Sequence, residues 1–363
     1  WLQRALVFLV ISCPCALVIS VPLGYFGGIG VASRKGILFK GSNGLDAVTM
    51  LDTVVFDKTG TLTTGAFRVE QTVGLSPEDL AFVAAVEAKS SHPIARAVVE
   101  FMQGKPLATV DSAHIVNIPG YGMTCGTWAI GTLRLMKKQG IAYDEALDEV
   151  AETIVAVAHD GRFVGYILLA DTPKAGIFTL PQRLKAQGIK LMQVLSGDKQ
   201  ALIDRLIAHF EDGKGFVKGY GDLLPEGKVA HLEALKQEGK SVAFVGDGIN
   251  DAPVLALSDV GVAMGKMGPD MAIETADVVI QTDDPTKVAT AIAIGKRTHR
   301  IVLQNIIFAI GVKVLVMVLG ILGMATLWEA VFADSGVALL AVMNSMRVMK
   351  NRVGTPSAPT ISH

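Results

Sequence analysis

Two acidic motifs in this sequence follow short apolar runs that are typical of buried strands. Thr53–Phe56 leads into Asp57-Lys58-Thr59-Gly60-Thr61, and Ser241–Val245 leads into Gly246-Asp247-Gly248-Ile249-Asn250-Asp251. A carboxylate at a strand end can attack phosphorus as a nucleophile if a divalent cation offsets the repulsion between the two anions. Mg²⁺ suits this task, because it binds through one or two carboxylates plus phosphate oxygens. The motifs therefore predict phosphoryl transfer at a magnesium site.

We assign Asp57 as the nucleophile. The predicted magnesium ligands are Asp57, Asp247 and the Thr59 backbone, with Asp251 as an outer carboxylate. A hydroxyl such as Ser196 can donate to a phosphate oxygen, and a lysine can neutralise its developing charge. The other candidate catalytic residues are Lys58, Ser196, Gly197, Asp198 and Lys228. One aspartate alone would most simply end a strand in a solvated turn, but four such motifs in order favour a shared site.

The elements that must position these residues alternate between strands and helices. Further predicted strands are Val164–Ala170, Ile189–Leu195, Val260–Met264 and Asp277–Ile280, with helices at Ala201–Phe210 and Lys228–Gln237. This alternation predicts an α/β fold with a doubly wound parallel sheet, which gathers ligands at the carboxyl ends of its strands. Ala66–Gly161 interrupts the series with its own mixed pattern, which predicts an inserted α+β domain.

Three long apolar runs predict membrane spans. They are Ala5–Ser33, Ile301–Trp328 and Ala330–Met346, each close to or above the length of about 20 residues that crosses a bilayer core. Lysines and arginines flank all three on one side, which predicts cytoplasmic soluble domains and a hairpin that turns near Glu329. The formal net charge of −1 gives no broad attraction to nucleic acid, and three cysteines exclude a disulfide framework.

The domain boundaries follow from these patterns. We predict a transmembrane helix with Cys-Pro-Cys at residues 1–34, a phosphorylation domain in two parts at 35–65 and 164–297, and the inserted domain at 66–163. Residues 298–350 form a transmembrane hairpin, and 351–363 form a polar tail.

The motif Cys13-Pro14-Cys15 lies within the first predicted span. Residues two apart point to opposite faces of an unbroken helix, so the two thiols could not hold one ion there. Pro14 removes a backbone donor and locally unwinds the helix, which lets both sulfurs reach one cation. Thiolates select soft or borderline metals and reject Na⁺, K⁺, Ca²⁺ and Mg²⁺. Asp334 adds an oxygen ligand, and Lys313 can serve as its counterion when the metal leaves.

These motifs, taken together, resemble those of the P-type ATPases of the haloacid-dehalogenase superfamily. The resemblance rests on Asp57-Lys58-Thr59-Gly60-Thr61, Asp171-Thr172-Pro173-Lys174, Leu195-Ser196-Gly197-Asp198, Pro225-Glu226-Gly227-Lys228 and Gly246–Pro253. It implies that Asp57 takes the γ-phosphate of ATP to form an aspartyl phosphate supported by Lys228. It also implies that Asp247 binds Mg²⁺ and that Asp251 orders the site.

The inserted domain carries two further motifs of the heavy-metal class of these pumps. Ser90-Ser91-His92-Pro93 resembles its His-Pro motif, and Gly120-Tyr121-Gly122 resembles its glycine pair. The resemblance implies that this domain binds ATP through Glu87, His92, Gly120 and Gly122. Paired glycines let a backbone approach a nucleotide closely.

The membrane segments resemble the zinc-transporting subgroup at Asn305, Lys313 and Asp334-Ser335-Gly336, whereas the tyrosine-asparagine and methionine-serine pattern of the copper subgroup is absent. The expected cargo is therefore Zn²⁺, Cd²⁺ or Pb²⁺, exported across a membrane. The resemblance implies an integral protein of the plasma (inner) membrane. The open alternatives are a Cu⁺ pump, a membrane-anchored phosphatase of the same superfamily and a non-catalytic metal-binding membrane protein.

The chain starts at Trp1 within an apolar run, and nothing in it resembles the Thr-Gly-Glu actuator loop of these pumps. We interpret it as part of a longer protein whose amino-terminal part holds the actuator domain and the earlier membrane helices. Its expected partners are that amino-terminal part, ATP, the metal ion and membrane lipid.

Overall fold

The structure is a computed structural model that describes residues 14–90, 92–111, 114–118, 120–150, 152–210, 215–247, 251–265, 274–324 and 327–350. The strands are β1 Ile37–Phe39, β2 Thr53–Asp57, β3 Thr63–Val73, β4 Ile115–Ile118, β5 Gly122–Cys125, β6 Trp128–Gly131, β7 Thr153–His159, β8 Arg162–Pro173, β9 Leu191–Leu195, β10 Val217–Tyr220, β11 Val242–Gly246, β12 Val260–Met264 and β13 Val278–Ile280. The helices are α1 Cys15–Arg34, α2 Ser42–Met50, α3 Pro77–Glu87, α4 Pro93–Phe101, α5 Leu133–Lys138, α6 Leu180–Ala186, α7 Gln200–Ala208, α8 Pro225–Gln237, α9 Ala252–Leu257, α10 Lys287–Ile321 and α11 Leu327–Ser345.

A seven-stranded sheet has the order β1-β13-β12-β11-β2-β9-β10. All neighbours are parallel except the edge pair β1 and β13. Side chains alternate between its two buried faces, so Val54 and Phe56 pack with α6 and α10 while Val55 packs with α8 and α9. Helices on both faces confirm the predicted doubly wound α/β fold.

A six-stranded antiparallel sheet, ordered β3-β8-β7-β6-β5-β4, forms the inserted domain. Helices α3 and α4 cover one face through Val83, Val86 and Val98, and α5 covers the other through Leu135 and Met136. The α+β character of the insertion is therefore confirmed.

One predicted strand belongs to the other sheet. Val164–Ala170 is part of β8, which pairs antiparallel with β3 and β7, so its placement in the parallel sheet was wrong. Asp160 and Gly161 join β7 to β8 with positive φ angles of 50° and 73°, as a tight hairpin turn requires. The expected boundary between residues 163 and 164 therefore falls inside a strand of the inserted sheet.

Two helices, α1 and α10, are long and apolar enough to cross a membrane. Helix α10 runs unbroken from Lys287 to Ile321, and the predicted span, Ile301–Trp328, covers its carboxyl-terminal part and extends past its end. The chain then turns at Leu322–Met324, so the predicted turn near Glu329 was wrong, and Glu329 lies within α11. Residues 1–13, which hold most of the first half of the first predicted span, and the predicted polar tail 351–363 lie outside the described residues.

The three apolar helices pack closely through small and polar residues. A methyl group placed on Gly28 of α1 would lie 2.5 Å from Thr298 Oγ1 of α10, so this approach requires glycine. Asn305 Nδ2 donates to Ser345 Oγ at 2.8 Å, and Ser345 Oγ donates to the Ser20 carbonyl at 2.8 Å. These hydrogen bonds connect α10, α11 and α1. They lie toward the side of the apolar helices that the flanking lysines and arginines predict to be cytoplasmic.

Candidate active site

The carboxyl ends of β2 and β11 place two aspartates against one lysine. Asp57 is the last residue of β2 and is 5% exposed, and Asp251 immediately precedes α9 and is 2% exposed. Lys228, in the first turn of α8, donates to Asp57 Oδ1 at 2.5 Å and to Asp251 Oδ1 at 2.9 Å. One ammonium group therefore bridges the two buried carboxylates, which is the arrangement that buried charges require.

A third carboxylate, Asp247, lies against the loop that follows Asp57. Gly60 in this loop has a φ of 75°, and a methyl group placed on it would lie 2.8 Å from Asp247 Oδ2. Both the backbone angle and the close approach require glycine at this position. The structure thus brings Asp57, Asp247, Asp251 and Lys228 together, whereas Gly248, Ile249 and Asn250 lie outside the described residues.

The electrostatics of this cluster favour a cation. The pKa of Asp57 is raised to about 7 by burial first and then by the charge of Asp251, against the lowering effect of Lys228, and Asp247 raises it further. Three carboxylates and one ammonium carry an excess of negative charge when all are ionised, and an added divalent ion offsets it.

The donor set fits Mg²⁺. In the described part of the chain, three or more His, Cys, Asp or Glu side chains do not converge as in a preformed metal cage. Lys228 occupies the space between Asp57 and Asp251 instead. Mg²⁺ needs no such cage, because it keeps waters and binds through few protein oxygens plus phosphate. Asp57, Asp247 and the Thr59 backbone oxygen are the groups that would hold it.

The turn after β9 carries the remaining candidate catalytic residues, with Gly197 in its middle. Ser196 is buried, and its Oγ accepts a hydrogen bond from the Asp198 backbone at 3.1 Å. The Lys58 ammonium pairs with the Asp198 carboxylate. This ion pair connects the loop after Asp57 to the turn after β9.

The four predicted nucleotide-binding residues line one cavity. Glu87, His92, Gly120 and Gly122 surround a cavity of about 480 Å³ on the six-stranded sheet, a size typical of ligand pockets. Burial raises the pKa of Glu87 to about 7. His92 Nδ1 accepts a hydrogen bond from the Ile94 backbone at 3.3 Å, so Nε2 carries the proton and can donate to a ligand.

A second cavity of about 290 Å³ lies between the two sheets. Lys58, Thr59 and Asp198 line it from the parallel sheet, and Asp171 lines it from β8. Thr153 lines this cavity and the first one, so the two adjoin.

Lys313 and Asp334 line a small cavity of about 70 Å³ among the three apolar helices. Pro14 lines the same cavity, whereas Cys15 does not. Cys13 lies outside the described residues, so the predicted ligand set of two cysteines and Asp334 stays a prediction.

Sequence reasoning missed Lys174, which contacts the loop that follows Asp57. Lys174 Nζ donates to the Gly60 carbonyl at 2.5 Å. The available signal was its place at the end of Asp171-Thr172-Pro173-Lys174, a motif that was recognised but to which no function was assigned.

The fold and this site define a phosphotransfer domain, and comparison with known proteins agrees. Residues 51–259 match the family model for haloacid dehalogenase-like hydrolases, and residues 227–292 match a second model of the same description. The chain belongs to the haloacid dehalogenase-like hydrolase family.

The chain is also similar to metal-transporting ATPases. The chain is 49% identical to a zinc-transporting ATPase of Synechocystis, with 96% of this chain and 49% of that protein covered. It is 48% identical to a cadmium, zinc and cobalt-transporting ATPase of Bacillus subtilis, over 96% of this chain and 50% of that protein. The chain therefore spans about half the length of these curated relatives.

Two solved structures show the same arrangement. A zinc-transporting PIB-type ATPase in its E2.Pi state superposes with a TM-score of 0.82 at 33% identity, covering 95% of this chain and 57% of that chain. The catalytic domain of the CPx-ATPase CopB-B superposes with a TM-score of 0.59 at 31% identity, covering 73% of this chain and 98% of that domain.

Proposed function

We propose that this chain is the phosphorylation and ion-binding part of an ATP-driven exporter of a soft or borderline divalent metal ion. The observation that carries the proposal is the pairing of buried Asp57 with Lys228, beside Asp251 and Asp247, at the end of a central parallel strand. A strand-terminal turn without chemistry has no need of two buried carboxylates paired with one ammonium group and a third carboxylate beside them.

Asp57 acts as the nucleophile. Its carboxylate oxygen attacks the γ-phosphorus of ATP, the bond from that phosphorus to the β–γ bridging oxygen breaks, and ADP leaves with the bond electrons. Bound Mg²⁺ would offset the negative charge of the phosphate. Lys228, already 2.5 Å from Asp57, neutralises charge on the transferred group, and the Ser196 hydroxyl donates to a phosphate oxygen.

The nucleotide binds on the six-stranded sheet. The Glu87, His92, Gly120 and Gly122 cavity holds the adenosine, and the phosphates extend into the adjoining cavity next to Thr59. With a pKa of about 7, Glu87 is partly protonated near neutral pH and can then donate a hydrogen bond to the ligand.

The transported ion binds among the apolar helices. Cys13, Cys15 and Asp334 are its ligands, and Lys313, which lines the same cavity as Asp334, is the counterion after release. Two thiolates plus one carboxylate suit Zn²⁺ and Cd²⁺ better than Cu⁺, and the similarity to zinc- and cadmium-transporting ATPases supports both ions. The proposal that Pb²⁺ is also a cargo rests on thiolate chemistry alone.

The protein crosses a membrane with both sheets on its cytoplasmic side, because Arg34, Lys35, Arg297 and Arg300 flank the apolar helices there. The exposed apolar side chains of α10, among them Ile307, Leu315 and Val318, then contact lipid. An amino-terminal part of the same protein supplies the remaining helices and the groups that hydrolyse the phosphoenzyme.

Labelling with γ-labelled ATP tests the nucleophile in a full-length protein that contains this chain. We expect an acid-stable, hydroxylamine-sensitive label on Asp57 and its loss in Asp57→Asn, because an amide is a far poorer nucleophile. Unchanged ATP binding in the variant is the control for folding. A label that survives the substitution would contradict the assignment.

Metal-stimulated turnover tests the cargo. Asp334→Ala should abolish Zn²⁺ stimulation while sparing ATP binding, because two sulfurs alone give too few ligands for a borderline divalent ion. Lys313→Ala should retain or tighten metal binding but slow release, because removal of a positive charge makes the site more attractive to the cation. Stimulation by Cu⁺ above that by Zn²⁺ would favour the copper alternative.

A further inference from the structure

The motif Asp171–Lys174 closes against the loop that follows Asp57. Thr63 Oγ1, at the start of β3, donates to the Asp171 carboxylate. The Lys174 backbone N–H donates to the Leu62 carbonyl at 2.9 Å. The two chain segments that connect the sheets are therefore joined to each other directly beyond the phosphorylation loop, Lys58–Leu62.

The Lys174 ammonium group makes two contacts in this region. Its Nζ donates to the Gly60 carbonyl at 2.5 Å and to Asp283 Oδ1 at 2.6 Å, and the side chain is only 7% exposed. A lysine is buried to this extent only when its charge is paired. Gly60 in turn lies against Asp247, so Lys174 is one residue removed from the cluster around Asp57.

The contact of Lys174 with Asp283 lies close to the first residue of α10. Asp283 lies in the turn between β13 and α10 and has a positive φ of 55°. Asp284 Oδ1 accepts hydrogen bonds from the Thr286 backbone at 2.9 Å and from Thr286 Oγ1 at 2.7 Å, which holds this turn against the first residues of the helix. Helix α10 then runs for 35 residues to Ile321.

We infer that Lys174 is a positioning residue for phosphorylation of Asp57 and that its Asp283 contact couples the phosphorylation loop to α10. The inference rests on the proposed function. The Gly60 contact fixes the loop peptide that packs on Asp247. The Asp283 contact transmits any movement of that peptide to the start of the helix that carries Lys313.

The two contacts predict separable effects. Loss of the ammonium group frees the Gly60 carbonyl, which slows phosphoryl transfer but leaves the nucleotide cavity on the six-stranded sheet intact. Loss of the Asp283 charge leaves the Gly60 contact in place, so transfer persists while its dependence on the transported ion weakens.

The test compares variants of a full-length protein by rapid-quench labelling with γ-labelled ATP and by ATP binding. Lys174→Met, which keeps an apolar stem, should slow labelling by roughly 10- to 100-fold, the range for losing a hydrogen bond to a charged group. ATP affinity should change less than about threefold, and Lys174→Arg should restore most of the rate because it keeps the positive charge.

Lys236 provides a matched control. It also donates to one carbonyl, that of Leu257 at 2.8 Å, and pairs with one carboxylate, that of Asp259 at 3.2 Å. It lies near the end of α8, however, away from the phosphorylation loop. Lys236→Met should label at the unsubstituted rate.

Asp283→Asn tests the coupling. We expect labelling within about threefold of the unsubstituted rate at saturating Zn²⁺, while the ratio of rates with and without Zn²⁺ falls at least about fivefold, the lower end of typical coupling between sites. An unchanged ratio would overturn the coupling to α10.

The remaining outcomes are distinct. Labelling of Lys174→Met at the unsubstituted rate would overturn the positioning role alone. Parallel loss of ATP binding and labelling that Lys174→Arg does not restore would show a purely structural lysine and would also overturn it. Absence of label in the unsubstituted protein would overturn the proposed function and this inference with it.

Discussion

The cavities at the two sheets of this protein are lined by different kinds of groups. At the end of the parallel sheet, Lys228 pairs with Asp57 and Asp251, Asp247 lies nearby against Gly60, and charge dominates the site. On the antiparallel sheet, the cavity walls are mostly backbone and apolar side chains, with Glu87 as their buried carboxyl group.

The difference follows from strand direction. Parallel strands end at the same edge, so the acidic turns of several strands converge there. In an antiparallel sheet, neighbouring strands end at opposite edges, so their turns do not converge. The sheet instead offers a broad face, which suits the planar adenine base of a nucleotide better than a transferred phosphoryl group. Chemistry and nucleotide binding should therefore be separable by mutation.

The largest difference between the effects on phosphoryl transfer and on ATP binding is expected for substitution of Asp247. Asp247→Ala removes a hard oxygen ligand, so phosphorylation should fail or should require more Mg²⁺ by at least the roughly 10- to 100-fold that even outer ligand partners contribute. ATP binding without Mg²⁺ should be unchanged. Labelling titrated with Mg²⁺ measures the effect, with exposed Asp204→Ala on α7 as the control. An unchanged Mg²⁺ requirement would mean that Asp247 is only a turn residue.

A smaller effect is expected at Gly122, where substitution should weaken ATP binding and leave phosphoryl transfer unchanged. A methyl group there would collide with the Ile130 carbonyl of the adjacent strand β6, whereas one on Gly120 would meet nothing within 4 Å. Gly122→Ala should therefore weaken ATP binding by roughly tenfold or more, the effect of losing about 1.4 kcal/mol.

Gly120→Ala is the matched variant, because it carries only the backbone cost of a positive φ, about 1 kcal/mol. Both variants should still be labelled by acetyl phosphate, a phosphoryl donor without adenosine, at the unsubstituted rate. Equal losses of ATP affinity at the two glycines would contradict the cavity geometry described above.

The smallest effect concerns Glu87 and pH. Its folded pKa of about 7 lies above the ordinary value of 4.5, so the folded state holds the proton more tightly. The contribution of Glu87 to stability is therefore fully present below pH 4.5 and is lost as pH rises through 7. The loss is on the order of 3 kcal/mol at most, given about 1.4 kcal/mol for each pKa unit.

Glu87→Gln should remove this dependence and stabilise the inserted domain at pH 8. Hydrogen exchange of the β7 amides at pH 6 and pH 8 measures it locally, which avoids treating a chain of several domains as one two-state unit. Exposed Glu100→Gln on α4 should leave the pH dependence as it is. A variant that loses protection at pH 8 would show that the ionised form of Glu87 is the stabilising one.

The sequence predicted the strand-end cluster because each of its parts is local. An apolar run followed by an acid marks a strand end, and parallel neighbours bring Asp57 and Asp251 to one edge without further information. The Lys174 contacts were not predictable in this way, because Gly60, Lys174 and Asp283 are brought together only by the packing of three segments.

The misplacement of β8 has an equally local reason. Val164–Ala170 is an apolar run followed by Asp171, and this pattern is the same in either sheet. Asp160-Gly161, a pair that favours hairpin turns, was the signal that β8 returns antiparallel to β7. The sequence predicted a membrane span only from Ile301, because Lys296, Arg297 and Arg300 precede the apolar run, and helix α10 continues through these charges to Lys287.

The continuity of α10 has a geometric consequence. A helix turns by about 100° per residue, so the direction of Lys313 relative to the parallel sheet is set by the number of residues between them. One residue inserted near Arg300 would rotate Lys313 away from Asp334 by that angle, and a third or fourth insertion would return it near its original azimuth, displaced by about 5 Å along the axis. The number of residues in α10 therefore fixes the orientation of the Lys313 and Asp334 cavity relative to the parallel sheet.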